Sequence, residues 1–543
     1  MIIACADFET TTDPEDCRVW SWGIIPIYDD WEVYGNDISD FLALTSNESF
    51  TIYFHNLAFD GTFIIDYLLR NGWQWVRKNP ENGQFTTLID KMNKMFSIEY
   101  CKGNHRTILY DSYKKIPLPV AAMPKTFGLP DGEVKGHIDY EAYRPRRHIM
   151  TDEEHSYIAN DILICRDSMR ITLNMGMDSI TLGSDCLKEY KKLNPDFRKM
   201  FPKLSKVQDD FCRKAYKGGF TYCSPQYHYQ LIGRGEVFDV NSLYPYVMYT
   251  AKLPYGKPIR KSGSPLESNN LWIARALIMF RVKLKHIPCI QIRGSANFLP
   301  SKYVTECDEP VEMTFTSVDW ELWNEQYDID VLSWYTYYEF NGTVGLFKRY
   351  IDKWSKVKQE SIDGPRYMAK LHLNMLYGKF GKSNDNSIRE PVLKDDRVEY
   401  KLIQDDNGKT IYIPLAAFIT AYARAKTVRA AQLHYNDFCY ADTDSLHLRG
   451  VGGRQLRVHE TELGAWKREK VFDKAYFAHA KCYLEHDDDG WETHIAGVPR
   501  DAAKNITPDV LVDGEVIAKK LLPKRVKGGI VLIETEFTFH RVD

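Results

Sequence analysis

A first group of side chains, in the N-terminal third of the chain, has the types and spacing needed for metal-assisted hydrolysis. Asp7 and Glu9 are two residues apart on an apolar run, and Asp60 lies at the start of a helical run. Tyr157 and Asp161 are four residues apart in another helical run. Residues two apart in a strand, or four apart in a helix, project from one face. Such carboxylates can hold two divalent ions that activate a water and stabilise the leaving oxygen of a phosphodiester. Each piece alone is weak, because a lone Asp-x-Glu is more often surface or turn chemistry, so the inference depends on all three in order.

A second group of carboxylates suits nucleotidyl transfer. Asp239 ends a strand-like run that turns directly into a helical one, and Tyr440–Ser445 places Asp442 and Asp444 around a tight turn between apolar stretches. With Asp239 beside that turn, two ions would lower the pKa of a primer 3′-hydroxyl and neutralise the triphosphate and the departing pyrophosphate. The alternative is an ordinary hairpin turn. The length of the match, together with the Asp239 segment, favours the metal site.

Basic side chains lie between the two halves of this second group. Lys358, Arg366 and Lys370 fall in helical segments on either side of a Gly-Pro pair. Arg366 and Lys370, four apart, share a face from which both can bind one polyphosphate. Tyr377, seven beyond Lys370, lies on the same side, where it either stacks at a nascent base pair or packs in the core.

Composition limits the class of protein. The 543 residues are enough for three or four compact units, and 13% aromatic against 27% charged residues is a globular composition. The 11 scattered cysteines, without a Cys-x-x-Cys pair, favour reduced thiols in a cytosolic compartment. No apolar run has the length of a membrane span, and Met1–Asp7 is predicted to be a buried strand rather than a signal peptide. The net charge of −3 argues mildly against nucleic acid, but basic clusters at 188–217 and 519–527 are either solvated faces or a DNA track.

The elements that must position these groups follow from the apolar pattern. Strand-like and helical runs alternate up to about residue 175, an α/β pattern, whereas 250–345 is rich in strand-like aromatics and 346–380 is helical with a break at Gly364-Pro365. Residues 382–411 are predicted to form a hairpin that projects into solvent, with the Asn/Asp/Gly residues at 384–386 and 405–408 as its tip. The strand predictions are Ile2–Phe8, Thr51–Phe54, Thr107–Tyr110 and Glu236–Val240, with a strand–turn–strand around Tyr440–Leu448. The helix predictions are Thr62–Arg70, Asp152–Met169 and runs from Ser242 and Pro414.

Taken in order, these segments resemble family B DNA polymerases, and most closely the protein-primed branch of small tailed bacteriophages. They are similar to the family's three exonuclease motifs and its polymerase motifs A, B and C: Asp7/Glu9, Asn56–Asp60, Tyr157/Asp161, Asp239–Pro245, Lys370–Gly378 and Tyr440–Ser445. Three features resemble that branch in particular. Tyr216–Gly219 is similar to its linker between the two active sites, and Thr420–Arg424 and Lys481–Tyr483 are similar to its template and primer contacts. The segments at about 250–345 and about 382–411 lie where that branch has its two insertions.

The resemblance implies a fold of α/β plus α+β type. An N-terminal ribonuclease H-like exonuclease domain precedes a right-hand polymerase domain of palm, fingers and thumb with two insertions. The expected boundaries are 1–178 for the exonuclease, 179–249 and 414–483 for the palm, 250–345 for an insertion contacting a priming protein, 346–381 for the fingers, 382–413 for an insertion serving strand displacement and processivity, and 484–543 for the thumb.

The resemblance also implies residue roles. Asp7, Glu9, Asp60 and Asp161 hold the exonuclease metals with help from Tyr157 and Lys135, whereas Asp239, Asp444 and the Val240 carbonyl hold the polymerase metals beside Asp442. Lys358, Arg366 and Lys370 bind the triphosphate, Tyr377 lies at the nascent pair, and Tyr244 stacks under the sugar and excludes ribonucleotides. The implied DNA contacts are Asn56, Phe59, Ser112, Tyr216, Gly218, Gly219, Asn374, Gly378, Thr420, Arg424, Tyr440, Thr443, Lys481 and Tyr483.

Three departures from the family pattern are visible. Motif B has Met375 where a serine is usual, which affects fidelity and sugar selectivity. The Ser/Thr-Leu pair of the exonuclease is Ser112-Tyr113 here, so ring stacking replaces part of the single-strand contact. A phosphate-binding lysine is Arg366, which keeps the charge and adds a fork.

The expected cofactors are two Mg²⁺ ions per active site, with Mn²⁺ as a substitute. The expected partners are template and primer DNA, deoxynucleoside triphosphates and a terminal protein as primer, with a single-stranded DNA-binding protein as a candidate. No membrane is involved, and a monomer in the cytoplasm of the infected host is expected. Two alternatives remain: a family B polymerase that extends ordinary primers, and a catalytically dead DNA-binding protein, which the intact carboxylates disfavour.

Overall fold

The computed structural model describes residues 1–130, 136–292, 302–504 and 506–541. The N-terminal domain is built on strands with helices on both faces. Its elements are β1 (Ile2–Thr10), β2 (Val19–Pro26), β3 (Val33–Gly35), α1 (Ile38–Asn47), β4 (Phe50–Phe54), α2 (Leu57–Arg70), β5 (Gln74–Trp75), β6 (Gln84–Ile89), β7 (Met95–Lys102), β8 (His105–Asp111), α3 (Met123–Phe127) and α4 (Asp152–Asn174).

The eight strands form one mixed sheet in the order β3-β2-β1-β4-β8-β7-β6-β5. At its centre β1, β4 and β8 run parallel, and β1 is almost wholly buried, as is usual for a strand covered by helices on both faces. The end of β1 and the start of α2, which follows β4, therefore meet at one edge of the sheet. This places Asp7 and Glu9 beside Asp60.

The next segment contains helices, the first palm strands and a separate sheet. Its elements are α5 (Leu182–Leu193), α6 (Phe197–Met200), α7 (Lys206–Ala215), β9 (Thr221–Cys223), β10 (Leu231–Ile232), β11 (Gly235–Val240), α8 (Leu243–Thr250), β12 (Leu253–Ser262), β13 (Leu271–Val282), β14 (Glu306–Thr316), α9 (Ser317–Gln326) and β15 (Tyr327–Thr343). The last four strands form an antiparallel sheet in the order β12-β15-β13-β14. Its aromatic rings are mostly buried in it, so the first predicted insertion is a folded unit.

The remaining chain supplies the fingers, a hairpin, the rest of the palm and the C-terminal strands. Its elements are α10 (Lys348–Glu360), α11 (Asp363–Phe380), β16 (Ile388–Lys394), β17 (Arg397–Ile403), α12 (Ile413–Leu433), β18 (Phe438–Asp442), β19 (Ser445–Arg449), β20 (Trp466–Phe472), β21 (Lys474–His479), β22 (Cys482–Asp487), β23 (Gly490–Ile495), α13 (Arg500–Ala503), β24 (Val516–Val526) and β25 (Gly529–Thr538). The palm sheet has the order β20-β11-β19-β18-β9, and a second sheet has the order β10-β21-β22-β23.

Three sequence predictions differ from this structure. The helix break precedes Gly364-Pro365, which lies inside the first turn of α11, where proline is tolerated because that turn has no internal acceptor for its N–H. The hairpin tip is Asp395-Asp396, both at positive φ, and the segments at 384–386 and 405–408 form its base. The predicted boundary at 483/484 falls inside β22 and therefore does not coincide with the end of an element.

The hairpin β16–β17 lies against other domains instead of projecting into solvent as predicted. Asp396 at its tip bonds Arg70 of α2 at 2.5 Å and Lys527, between β24 and β25, at 2.7 Å. Val398 of the hairpin and Ile530 and Val531 of β25 belong to the apolar core beneath one face of the N-terminal sheet. The hairpin and the C-terminal strands are thus docked on the N-terminal domain.

Candidate active sites

The N-terminal carboxylates converge on a cavity of about 180 Å³ at the edge of the sheet. Asp7, Asp60 and Asp161 line this cavity together with Asn56 and Phe59. Burial and the negative charges of Asp7 and Glu9 raise the pKa of Asp60 well above its usual value. Carboxylates buried so close together repel one another, and divalent cations bound by these hard oxygen ligands would relieve that repulsion. The donor set therefore fits a metal centre.

Tyr157 stands one turn before Asp161 on α4, on the side that faces this centre. Its hydroxyl lies 2.6 Å from that of Tyr140. Burial, the bond to Tyr140 and the charge of Asp161 raise the pKa of Tyr157, so it remains a neutral phenol that can donate a proton in a hydrogen bond. The predicted exonuclease lysine, Lys135, lies outside the described residues.

Ser112 is buried behind the cavity, not exposed to a strand of DNA. Its hydroxyl donates to the carbonyl of Phe54 and lies 2.9 Å from Nδ1 of His55. The neighbouring Tyr113 is 42% exposed and packs edge-on against the His55 ring. Tyr113 is therefore the exposed member of this pair, and its stacking on a base stays a prediction.

The second carboxylate centre lies where β11 and β19 pair. Asp239 is opposite Ser445, and the N–H of Val240 donates to the carbonyl of Asp444 at 2.9 Å. Burial and the charge of Asp444 raise the pKa of Asp239 to about 7, and burial also raises that of Asp444. The pair is short of positive charge and has oxygen ligands only, so it fits divalent cations.

The turn that carries Asp444 is held on three sides. Thr443 has φ of 62°, its N–H donates to the carbonyl of Phe220 at 2.6 Å, and its carbonyl accepts from the hydroxyl of Thr427 at 2.7 Å. A Cβ on Gly219 would lie 2.5 Å from the Thr443 hydroxyl oxygen, so only glycine fits there. The linker 216–219 is thereby packed directly on the polymerase turn.

Asp442 has a different set of partners from Asp444. Its Oδ1 accepts from the hydroxyl of Thr221 at 2.8 Å, and its Oδ2 pairs with Nζ of Lys481 at 2.6 Å. The structure thus divides the two carboxylates of the turn. The negative charge of Asp444 raises the pKa of Asp239 further above the value that burial gives it, whereas Asp442 orients the exposed Lys481 through their ion pair.

The fingers cations form one cluster above the centre. Lys370 acts electrostatically on both Asp239 and Asp444. Burial and the charges of Lys370 and Arg366 lower the pKa of Lys358, and Nη1 of Arg366 donates to the Lys358 carbonyl at 2.9 Å. Three cations held this close together repel one another, so the cluster favours a polyanion between it and the carboxylates.

Tyr244 and Tyr377 stack on each other beside this cluster, with ring centroids 4.0 Å apart and planes at 25°. On α11, the helix of Tyr377, Asn374 is half-buried, Met375 is 39% exposed, and Gly378 faces open space. The charge of Asp444 acts on Tyr244, so the stacked rings lie close to the second carboxylate centre.

Besides Ser112, three residues predicted to contact DNA lie inside the protein instead. Thr420 is 1% exposed, Arg424 4% and Tyr440 0%. Nη2 of Arg424 pairs with Asp319 at 2.6 Å, and its Nη1 donates to the carbonyls of Lys217 and Gly218. Because its donors are used internally, Arg424 ties α12 to α9 and to the linker; its direct contact with DNA is corrected to a positioning role.

Tyr440 and Thr420 likewise have internal partners. The hydroxyl of Tyr440 accepts from the N–H of Lys481 at 2.9 Å, and that of Thr420 donates to the carbonyl of Ala416 at 3.1 Å. Tyr483 stacks against His494 at 4.6 Å. Tyr216 packs against Gly381 at the end of α11, and Gly218 is exposed. The exposed members of the predicted DNA set that lie near the turn are thus Lys481 and Gly218.

Residue spacing in the sequence did not identify two charged residues next to Asp239. In β20, Lys467 is opposite Asp239, and Nζ of Lys467 pairs with Glu469 at 3.2 Å. The charge of Glu469 raises the pKa of Asp239, after burial and Asp444, whereas that of Lys467 lowers it. Only the pairing of distant strands brings these charges to the site, so no local signal in the sequence marks them.

Two carboxylate centres, one on a ribonuclease H-like sheet and one on a palm sheet under a cationic helix, define a DNA polymerase with an attached exonuclease domain. Residues 43–456 match the family described as DNA polymerase type B, organellar and viral, and the chain belongs to that family. The chain is 38% identical to the DNA polymerase of Bacillus phage M2, over 98% of both chains.

Solved structures agree with this assignment. Phi29 DNA polymerase complexed with primer-template DNA and incoming nucleotide substrates is 36% identical, with a TM-score of 0.94 over 99% of this chain and 100% of that one. Phi29 DNA polymerase complexed with single-stranded DNA gives a TM-score of 0.92 at 35% identity, with the same coverage. The predicted family, fold class and enzyme are confirmed, and dependence on divalent metal follows from the family. Among the described residues, no helix is both long and apolar enough to cross a membrane.

Proposed function

We propose that this polymerase replicates a linear phage genome in the cytoplasm of the infected host, starts on the hydroxyl of a terminal protein and displaces the non-template strand. The observation that carries the proposal is the docking of the hairpin β16–β17 on both α2 and the C-terminal strands. We infer that the docked hairpin and the C-terminal strands together encircle the DNA and separate its strands, which suits an enzyme that copies long duplex without a helicase. The similarity to phage polymerases over 98% of the chain supports it.

For polymerisation we infer that Asp239, Asp444 and the Val240 carbonyl hold two Mg²⁺ ions, which would lower the pKa of the 3′-hydroxyl and neutralise the leaving pyrophosphate. Lys358, Arg366 and Lys370 bind the triphosphate from the opposite side. Lys481, oriented by Asp442 at 2.6 Å, binds the primer backbone near its 3′ end. Tyr244, backed by Tyr377, occupies the space that a ribose 2′-hydroxyl needs.

For proofreading, the proposal assigns Asp7, Glu9, Asp60 and Asp161 to a second pair of ions. Tyr157 donates a hydrogen bond to the attacking water, and Asn56 and Phe59, at the cavity wall, hold the 3′-terminal nucleotide. Tyr113 stacks on the strand outside. A frayed primer end moves from the palm to this cavity along the linker 216–219.

Two variants measured on the same substrates test the assignment of the sites. Asp7→Ala/Glu9→Ala abolishes degradation of single-stranded DNA and spares primer extension. Asp444→Asn, which keeps the shape and removes one charge, lowers nucleotide addition by about three orders of magnitude or more while degradation persists. Equal loss of both activities in either variant would contradict two separate centres.

Priming on protein is tested by incubating the polymerase with labelled dATP, magnesium and any small basic protein that a neighbouring gene of the same genome is found to encode. A radiolabelled adduct of that protein, absent with Asp444→Asn, is the expected product. The alternative, a family B polymerase that uses ordinary primers, is correct if no protein is found joined to the 5′ ends of replicated DNA while oligonucleotide primers are extended.

A further inference from the structure

A buried charge network joins the strands next to the polymerase turn. His447 of β19, Glu485 of β22 and Lys470 of β20 are its members. Nδ1 of His447 lies 2.5 Å from Oε1 of Glu485, and Nζ of Lys470 lies 2.7 Å from Oε2. Each carboxylate oxygen of Glu485 therefore has its own partner, and each partner comes from a different strand.

Burial makes this network a strong constraint. The side chains of His447 and Glu485 are 2% and 1% exposed. Burial alone would raise the pKa of Glu485, but the opposing effects of His447 and Lys470 lower it to about 2. The carboxylate is thus ionised at neutral pH and can only accept, so Nδ1 of His447 carries the proton and donates it.

The two strands that Glu485 bonds are placed on either side of the metal-binding strand. In the palm sheet β19 and β20 are the two neighbours of β11, which carries Asp239. One carboxylate on β22 therefore links both neighbours of the catalytic strand to a second sheet. No other ion pair among the described residues joins β22 to both of these strands.

The strand β22 is also the one that carries the primer contacts. Tyr483 precedes Glu485 by two residues and shares its face, and Lys481 lies in the turn immediately before the strand. The rings of Tyr440 and Tyr483 lie 5.2 and 5.1 Å from that of His447. A shift of β22 relative to β19 would therefore displace Lys481 from Asp442.

Glu485, Glu492 and His494 are close enough together to suggest a metal ion. The ammonium of Lys470, however, lies between the two glutamates, 2.7 Å from one and 2.5 Å from the other. The position of a cation is thus filled by the protein itself. This cluster is a fixed internal ion pair network and not a third metal site.

We propose that Glu485, with His447 and Lys470, is a positioning residue that sets β22, and with it Lys481 and Tyr483, at the distance from Asp239 and Asp444 at which a paired primer end is held for extension. The inference rests on the proposed primer contact by Lys481. Glu485 itself touches neither DNA nor nucleotide. Its loss lowers retention of the paired primer in the palm and sends it more often to the exonuclease.

The test compares Glu485→Gln with Glu492→Gln in the full-length enzyme. Both changes remove a partner of Lys470, but only the first removes the charge bonded to His447. For Glu485→Gln we expect affinity for a paired primer-template to fall about ten-fold and degradation of that paired primer to rise by a similar factor. Degradation of single-stranded DNA, which reports a folded protein, stays within about two-fold in both variants. Glu492→Gln retains paired-primer affinity within about two-fold.

Unchanged paired-primer affinity and degradation in Glu485→Gln would overturn the inference. If that variant does not fold, Lys470→Met, which leaves the His447–Glu485 bond, is measured in the same way. We expect about a three-fold loss of paired-primer affinity in Lys470→Met, and an unchanged affinity would overturn the inference. Lys481→Ala separates this inference from the proposed function. If Lys481→Ala leaves the affinity for paired primer-template unchanged, the proposed primer contact is wrong. If Lys481→Ala weakens that affinity and Glu485→Gln does not, only the positioning role of Glu485 is wrong.

Discussion

The buried pair between Asp319 and Arg424 permits a quantitative prediction. It joins α9 to α12 at 2.6 Å, with the two side chains 2% and 4% exposed. Burial alone would raise the pKa of Asp319, but Arg424 and Lys217 hold it below its usual value. Asp319→Asn keeps the side-chain shape and its capping of α9, and it leaves the guanidinium of Arg424 buried without a counter-charge.

The expected cost of this change is about 3–5 kcal/mol of folding free energy, the value typical for removal of one partner from a buried pair. The same two helices supply a matched control. Glu325 and Arg429 pair at 2.6 Å, but their side chains are 42% and 47% exposed. Glu325→Gln should cost about 0–1 kcal/mol, because solvent screens an exposed pair.

The assay is urea unfolding of wild type, both single variants and the double variant Asp319→Leu/Arg424→Met. The double variant should be more stable than Asp319→Asn, since it removes the buried guanidinium together with the carboxylate. Because the pKa of Asp319 is lowered in the folded state, its contribution is complete above the unfolded value of about 4 and is lost as pH falls through the lowered one. An Asp319→Asn cost no larger than that of Glu325→Gln would refute this reasoning.

Three further predictions follow from the site and the hairpin. Tyr244→Val should raise ribonucleotide relative to deoxyribonucleotide incorporation in competition assays, and an unchanged ratio would assign selectivity to Met375. Replacement of residues 385–409 by a short Gly-Ser turn should leave single-nucleotide addition intact and abolish long synthesis through duplex on a circular template. Changes of exposed residues within 302–343, such as Leu332→Ser, should weaken initiation on the terminal protein and spare extension of a DNA primer; equal effects on both would contradict the assignment of this insertion.

The sequence predicted local features well and contacts between distant segments poorly. Asp239 and the Asp442–Asp444 turn could be located because strand ends, turn residues and charge coincide within a few positions. The tip of the hairpin was misplaced because Asn/Asp/Gly residues at its base have the same turn preferences as the Asp395-Asp396 pair. The break before α11 was misplaced because proline marks a helix start as readily as an interruption.

Buried charges show why the DNA contacts were harder to predict. A lone arginine on a helical run looks the same whether it binds a phosphate or an internal aspartate, and only the position of Asp319, far upstream in the chain, distinguishes the two for Arg424. The partners of Glu485 are similarly distributed over three strands. Strand pairing decides such contacts, and it is not encoded in local spacing.

The docking of β16–β17 and β24–β25 on the N-terminal domain has a consequence for biosynthesis. The N-terminal sheet is complete once β8 has been made, but Val398, Ile530 and Val531 of its apolar core are translated much later, the last two near the end of the chain. Phe63, which packs against Gly529, therefore lacks this contact until Gly529 has been translated. Nascent chains that stall in the palm should expose an apolar surface on α2 and depend on chaperones. An isolated exonuclease domain should be prone to aggregate for the same reason.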